Sequence, residues 1–400
     1  MSERTSCNAT SDQNAALLTR GLVLVLVAQT CFGYAFSSFL LFPKFLTVEL
    51  GASAAQVGAV ATVNRVAAML GLFVCGVAVD RYGRRPFLTM GALLMAGASL
   101  AFAMVDEMGP LLYTLRALQG LAFAMTFTAA AALVVDLSPP QRLAQAIGYF
   151  GLTMLSMNAV APAAVESFAE GVGWEMAFAV AAGAALLCAN LSLLVRDPLR
   201  TQDDGADVPG FFEIARRPRQ VRAAVVIAVV GAAFAAVFVL HQPFAIQLGM
   251  EKLSGFFIAY TLAAVTVRLG FGGIADRVGR HRVAAASLAL YAAAVLATAF
   301  LGVIGLAALG AALGLAHGFF YPSFNAVAVE GAGARERGKI MAIFQGWFSA
   351  GGAFGTLVLG LLADSAGYPI VFVIVGAVTF ASLLAFVRFP KSNESRLGAA

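Results

Sequence analysis

Charged side chains are scarce in this sequence: Asp, Glu, Lys and Arg make up 12% of 400 residues, against 60% hydrophobic. With a mean hydropathy of +0.87, the chain has too little polar surface to clothe soluble domains of this length, which excludes water as its main solvent. Histidine is rarer still, at three residues, and the four cysteines, Cys7, Cys31, Cys75 and Cys188, fall in the N-terminal tail and in separate apolar runs. Neither type has the spacing of a metal site or a disulfide framework, so no metal and no cofactor is expected, and the cysteines read as small apolar packing residues. HExxH and GxSxG patterns are missing. Residues 333–339, GARERGK, imitate a phosphate loop, but Ile340 stands where a Ser or Thr would hold magnesium. Neither enzyme chemistry nor ATP-driven pumping is expected.

Long apolar runs are what the chain has in abundance. They cover residues 22–42, 54–79, 87–105, 111–135, 144–165 and 174–195, then 223–247, 255–275, 283–301, 306–329, 340–363 and 370–389. A helix needs about 20 mainly apolar residues to cross a bilayer. The runs therefore predict an all-α integral membrane protein with twelve spans in two sets of six. The divisions expected are an N-terminal tail (1–19), a first bundle (20–195), a polar linker (196–222), a second bundle (223–390) and a C-terminal tail (391–400). The polar first 19 residues lack a short apolar core with a cleavage site, so no cleaved signal peptide is expected.

The basic residues supply an orientation. Of the 26, all but five fall in the tails, the linker and the loops on that same side; Lys44 and Lys252 lie opposite, and Arg65, Arg116 and Arg268 lie within runs. The positive-inside rule then places both termini and the linker in the cytoplasm. On this reading the net charge of +5 reflects topology and not a nucleic-acid partner. The excess of arginine over lysine and the abundance of alanine fit a bacterial inner membrane.

The two halves repeat. GVAVDRYGRRP at 76–86 recurs as GGIADRVGRHR at 272–282, and RALQG at 116–120 is matched by GLAHG at 314–318. Internal duplication is expected of transporters that rock two bundles about a central site. The pattern Gly76-x-x-x-Asp80-Arg81-x-Gly83-Arg84-Arg85 resembles the signature loop of the major facilitator superfamily. That resemblance implies two pseudo-symmetric six-helix bundles, alternating access, and a cavity lined by spans one, four, seven and ten. It further implies that the loops, through Asp80, Arg81 and Arg84 and through Asp276, Arg277, Gly279 and Arg280, latch the bundles on the cytoplasmic side. Gly76 is expected to permit close helix approach, and Gly83 a tight turn.

Leu112-x-x-x-Arg116-x-x-Gln119-Gly120 resembles a second motif of the family, whose arginine serves proton coupling or substrate binding; a structural strut is the other reading. In span five the family's antiporter motif runs Gly-Pro-x-x-Gly-Gly, whereas residues 161–166 here read APAAVE. The glycines are missing, and so is the acidic residue that drug/proton exporters often carry in span one. In span one Thr30, Tyr34 and Ser37 share a face suited to hydrogen bonding. Glu166, His241 and His317 are candidates for carrying a proton at membrane depth, with Tyr321 one turn beyond His317. Glu166 reads equally well as the first residue of an outer loop. Phe123, Phe234, Phe238, Tyr321 and Phe324 are expected to form an apolar wall.

Arg65 and Arg268 resemble the paired arginines of nitrate/nitrite porters, but they precede Asp80 and Asp276 by 15 and 8 residues, so they are not symmetric equivalents. The expectation is a monomeric secondary transporter, not an enzyme, moving a small organic molecule outward with protons as the coupling ion. Uptake or exchange of an organic anion on intramembrane arginines remains an alternative, as does a transporter-like sensor without net flux.

Overall fold

In a computed structural model the chain is described over residues 18–197, 211–271 and 274–388. The tails at 1–17 and 389–400, part of the expected linker (198–210) and the side chain of Asp276 lie outside the described residues. Twelve long helices account for most of the rest: α1 (Arg20–Val48), α2 (Ala54–Tyr82), α3 (Arg84–Ala101), α4 (Pro110–Asp136), α5 (Leu143–Gly171), α6 (Trp174–Leu193), α7 (Pro218–Gln247), α8 (Ser254–Gly270), α9 (Arg280–Thr298), α10 (Leu306–Ala328), α11 (Ala334–Ala366) and α12 (Tyr368–Val387). Among the described residues ten of these helices are long and apolar enough to cross a membrane, and α8 is a shorter apolar helix. The all-helical result follows from lipid as solvent, because a helix satisfies its own backbone donors and acceptors where no water can.

Local chemistry sets the boundaries. Ser53 and Gln56 form a capping box at the start of α2. Gly83 and Gly279 take positive φ, +100° and +102°, where a side chain would be strained; they break the helix at repeat-related points in the two signature loops. Helix α1 passes through a single 3-10 turn at Phe39–Leu41, with Pro43 just beyond it. Helix α7 starts at Pro218, inside the expected linker, after a short helix at Phe211–Ala215. Pro218 sits at the first helical position, where a missing N–H costs nothing.

The duplication is visible in which helices touch. Within the first bundle the main pairs are α1–α5, α1–α6, α2–α4, α3–α4 and α3–α6; within the second they are α7–α11, α7–α12, α8–α10, α9–α10 and α9–α12. Adding six to each first-bundle label gives the second set. Between bundles the chief contacts are α2–α11 and α5–α8, which exchange under the same rule.

Lipid tails are as apolar as leucine, so helices associate here through close backbone packing rather than through hydrophobic exclusion. Small residues make that possible. A Cβ on Gly120 of α4 would come within 2.3 Å of the Asn64 carbonyl oxygen of α2, and one on Gly314 of α10 within 2.3 Å of the Tyr260 carbonyl oxygen of α8. Gly314→Ala is expected to lower the unfolding temperature of the detergent-solubilised protein, at an overpacking cost of roughly 1–3 kcal/mol. Gly97→Ala, with nothing within 4 Å of the added carbon, serves as the neutral control in the same thermal-shift measurement.

Candidate substrate cavity

A cavity of about 340 Å³ lies between the bundles. Its walls come from α1 (Phe36, Phe39, Phe42), α2 (Val60, Asn64, Arg65), α4 (Arg116, Phe123), α5 (Met154, Asn158), α7 (Phe234, Phe238) and α11 (Gln345, Phe348, Ser349). Three of the four spans expected to line it do so. The fourth, α10, contributes none of the described lining residues, and α2, α5 and α11 take part instead. The reason is aromatic bulk: Phe234 and Phe348 stand between His317 of α10 and the open space, their ring centroids 4.9 and 6.3 Å from the imidazole.

Two guanidinium groups face this cavity, and no carboxylate does among the described residues. Arg116 donates to Gln119 Oε1 at 2.7 Å and lies over the rings of Phe39 and Phe42, at 5.8 and 5.0 Å from their centroids. Its Nε is buried without a hydrogen-bond partner. Arg65 rests against α11, where a Cβ on Gly352 would meet its Nη1 at 2.8 Å. Asn64 ties the level of the two together, its Nδ2 donating to the Arg116 carbonyl at 3.0 Å. Arg65 is thus partnered by Arg116 of its own bundle and not by Arg268. Arg268 is exposed, and its guanidinium approaches Gly151 of α5.

The remaining sequence candidates divide. Ser37 donates to Asn158 Oδ1 at 2.8 Å and so shapes the wall. Tyr34, half-buried, is not part of the lining. Tyr321 stands behind it, donating its hydroxyl to the cavity residue Gln345 and stacking on His317. His241 is buried away from the cavity, its ring on Phe256 at 4.1 Å and its Nδ1 bonded to the Val237 carbonyl. Of the expected wall, Phe123, Phe234 and Phe238 line the cavity, while Phe324 is fully buried against Phe320 and Phe344.

Glu166 is neither a cavity residue nor the first exposed residue of a loop: it is 4% exposed, pairs with Lys44 at 2.8 Å and accepts from the backbone of Leu253 and Ser254. The Lys44 amide in turn donates to Gln242 Oε1, and Gln242 Nε2 donates to the Leu40 carbonyl at 2.7 Å. These bonds join the bundles at the end away from the signature loops. Phe39, Phe42, Phe45, Phe102, Trp174 and Phe178 pack as one aromatic group beside them.

At the loop end the first motif is tied to its own bundle. Asp80, 74% exposed, meets Arg84 at 3.5 Å, and Arg84 reaches Asp136 of α4 at 3.0 Å. The backbone amides of Arg84 and Arg85 donate to Asp197. Arg81 lies over Tyr82. A Cβ on Gly76 would meet nothing within 4 Å, so close approach does not explain that glycine in this conformation. In the second loop Arg277 and Arg280 are exposed.

Asn64, Asn158, Gln345 and Gln242 were not singled out by motif. The signal for them was their polarity within long apolar runs.

Comparison with known proteins places these features in context. A sequence model described as Major Facilitator Superfamily matches residues 23–273 and 253–399. The chain is similar to multidrug resistance protein 2 of Bacillus subtilis, at 24% identity over 79% of this chain and 82% of that protein. It also resembles a probable 4-methylmuconolactone transporter of Cupriavidus pinatubonensis, at 28% identity over 44% of this chain and 40% of that one. Among solved structures, the nucleoside transporter NupG superposes with a TM-score of 0.77 at 14% identity, covering 92% of this chain and 100% of the other. A bacterial homologue of the lysosomal transporter Spinster, solved inward-facing and unoccupied, gives 0.73 at 15%, with 93% and 98% covered.

Proposed function

The chain belongs to the Major Facilitator Superfamily and is a multi-pass membrane transporter, not an enzyme; we propose that its substrate is a small, partly apolar organic anion. One observation carries this reading: Arg65 and Arg116 face a cavity that has no described carboxylate in its wall. An arginine within a span costs up to about 2.5–3.5 kcal/mol at its centre, and two with no acidic partner among the described residues cost more than scaffolding needs. An anion would relieve both, while Phe36, Phe123, Phe234 and Phe238 would cover an apolar or aromatic body. The relative named for 4-methylmuconolactone supports a small organic substrate, and the one named for multidrug resistance supports export.

The coupling ion in this reading is the proton, and His317 is its carrier. Of the three titratable candidates, His317 is the one whose ring contacts the cavity residues Phe234 and Phe348, and Tyr321 with Gln345 links it to the open space. The basic loops face the cytoplasm by the positive-inside argument.

Two measurements test this. In proteoliposomes, counterflow of labelled aromatic carboxylates is expected to exceed that of the matching neutral amides. Arg116→Met and Arg65→Met should each lower it about ten- to a hundredfold, the size expected when a charged hydrogen-bond partner is lost. Equal flux of the amides, or full activity in both variants, would refute the anion reading. Separately, an imposed pH gradient should drive accumulation in the parent and fail to drive it in His317→Gln while exchange persists. Accumulation in the variant equal to the parent would remove His317 from the coupling.

A further inference from the structure

The end of the molecule away from the signature loops is held by two carboxylates that occupy the same place in the two repeats. Asp364 of α11 lies 198 residues after Glu166 of α5, the register that also relates Gly120 to Gly318. Each reaches across to the other bundle and accepts the first backbone amides of a helix there. Glu166 takes the amides of Leu253 and Ser254, at 2.7 and 2.9 Å, on separate oxygens at the start of α8. Asp364 takes those of Ala54 and Ala55, at 2.8 and 3.0 Å, at the start of α2, and the Ser53 hydroxyl at 2.7 Å. A helix start carries unpaired N–H groups and the positive end of the helix dipole, so a carboxylate there satisfies both at once. In most proteins that acid comes from the helix itself or its preceding loop. Here both acids come from the opposite bundle.

We infer that Glu166 and Asp364 form a duplicated lock on this mouth of the cavity, and that release of the Glu166 half is the step that admits the cavity to this side. The two halves of the lock are unequal. Glu166 is buried and charge-paired with Lys44, whose Nζ also donates to the Glu251 carbonyl of the second bundle. Asp364 is exposed and pairs with no cation among the described residues; the 198-residue register that relates it to Glu166 puts the uncharged Gln242 where Lys44 stands. The seams they close differ in the same direction. Along α2–α11 the backbones touch through Gly58 and Gly360, where an added Cβ would meet Thr356 and Ala54 carbonyl oxygens at 2.3 and 2.5 Å, and Thr62 donates to the Ala353 carbonyl. That seam holds without its carboxylate. Across α5–α8 the hydrogen bonds between described residues are those of Glu166.

The lock is tested without any substrate, so its fate is independent of the anion reading. Val57 lines the cavity just inside the mouth and is 1% exposed. Val57→Cys provides a target for a membrane-impermeant maleimide applied to right-side-out and inside-out vesicles, scored above the labelling of the chain without it. Glu166→Gln should raise labelling from the side away from the signature loops roughly tenfold, as expected when charge-assisted hydrogen bonds become neutral ones. Asp364→Asn should raise it by a smaller factor, and Glu166→Asp should stay nearer the parent. Should Glu166→Gln fail to fold, Lys44→Met takes its place, since it removes the cation and leaves both caps. Parent-level labelling in whichever of these two variants is folded, or a larger rise for Asp364→Asn than for Glu166→Gln, overturns the proposal.

Discussion

Backbone-to-backbone contact between helices is the constraint from which the rest of the architecture follows. In a lipid environment apolar side chains gain little by leaving their neighbours, so two helices stay together where their main chains come close enough for dense packing. Gly120 against α2, Gly314 against α8, and Gly231 and Gly351 where α7 meets α11 are such places. Such contacts occur in both halves, and they fix the depth at which one helix stands against the next. Arg65 and Arg116 depend on that depth. They lie far apart in sequence on α2 and α4, which cross in the same direction because α3 returns between them, and the glycine contact at position 120 holds Asn64 and Arg116 at one level, where a single hydrogen bond joins them.

Burial then makes the cavity electrostatically one-sided. Inside a low-dielectric wall an unopposed cation is felt over a long distance, and the two guanidinium groups share their space with amides, a hydroxyl and aromatic rings. Arg116 is partly compensated by Gln119 and by the faces of Phe39 and Phe42, which hold it in place without neutralising it. The acids near the cavity's closed end are already committed to helix starts and to Lys44. Attraction for a negative group is therefore concentrated on the cavity.

Much of this was legible in the sequence. Twelve apolar runs correspond to twelve long helices among the described residues, and the twice-written glycine of the signature loop is the residue with positive φ in each copy. Arg116 was marked by its motif and Phe123 by the expected apolar wall, and both line the cavity. Pairing across helices could not be read that way. Spacing showed that Arg65 and Arg268 are not symmetric equivalents, but not that the α2–α4 contact brings Arg116 into the same cavity wall as Arg65. Expecting α10 in the wall failed because symmetry of sequence does not specify which aromatic side chains fill the space in between. Glu166 has little meaning from one helix, since its partners are backbone amides 87 and 88 residues away. The register relating it to Asp364 was present in the sequence but has a physical meaning only once both helix starts are seen.

Helix α11 carries two of these features on one rod. Gln345, Phe348 and Ser349 face the cavity, and Asp364 closes the far mouth, about 22–28 Å further along at 1.5 Å per residue. A stiff helix of that length is a lever: a tilt of a few degrees where it meets a bound molecule displaces its other end by about 2–3 Å, comparable to a hydrogen-bond length. Occupancy of the cavity can therefore be converted into strain at the mouth by one continuous piece of secondary structure, without a relay of side chains between them.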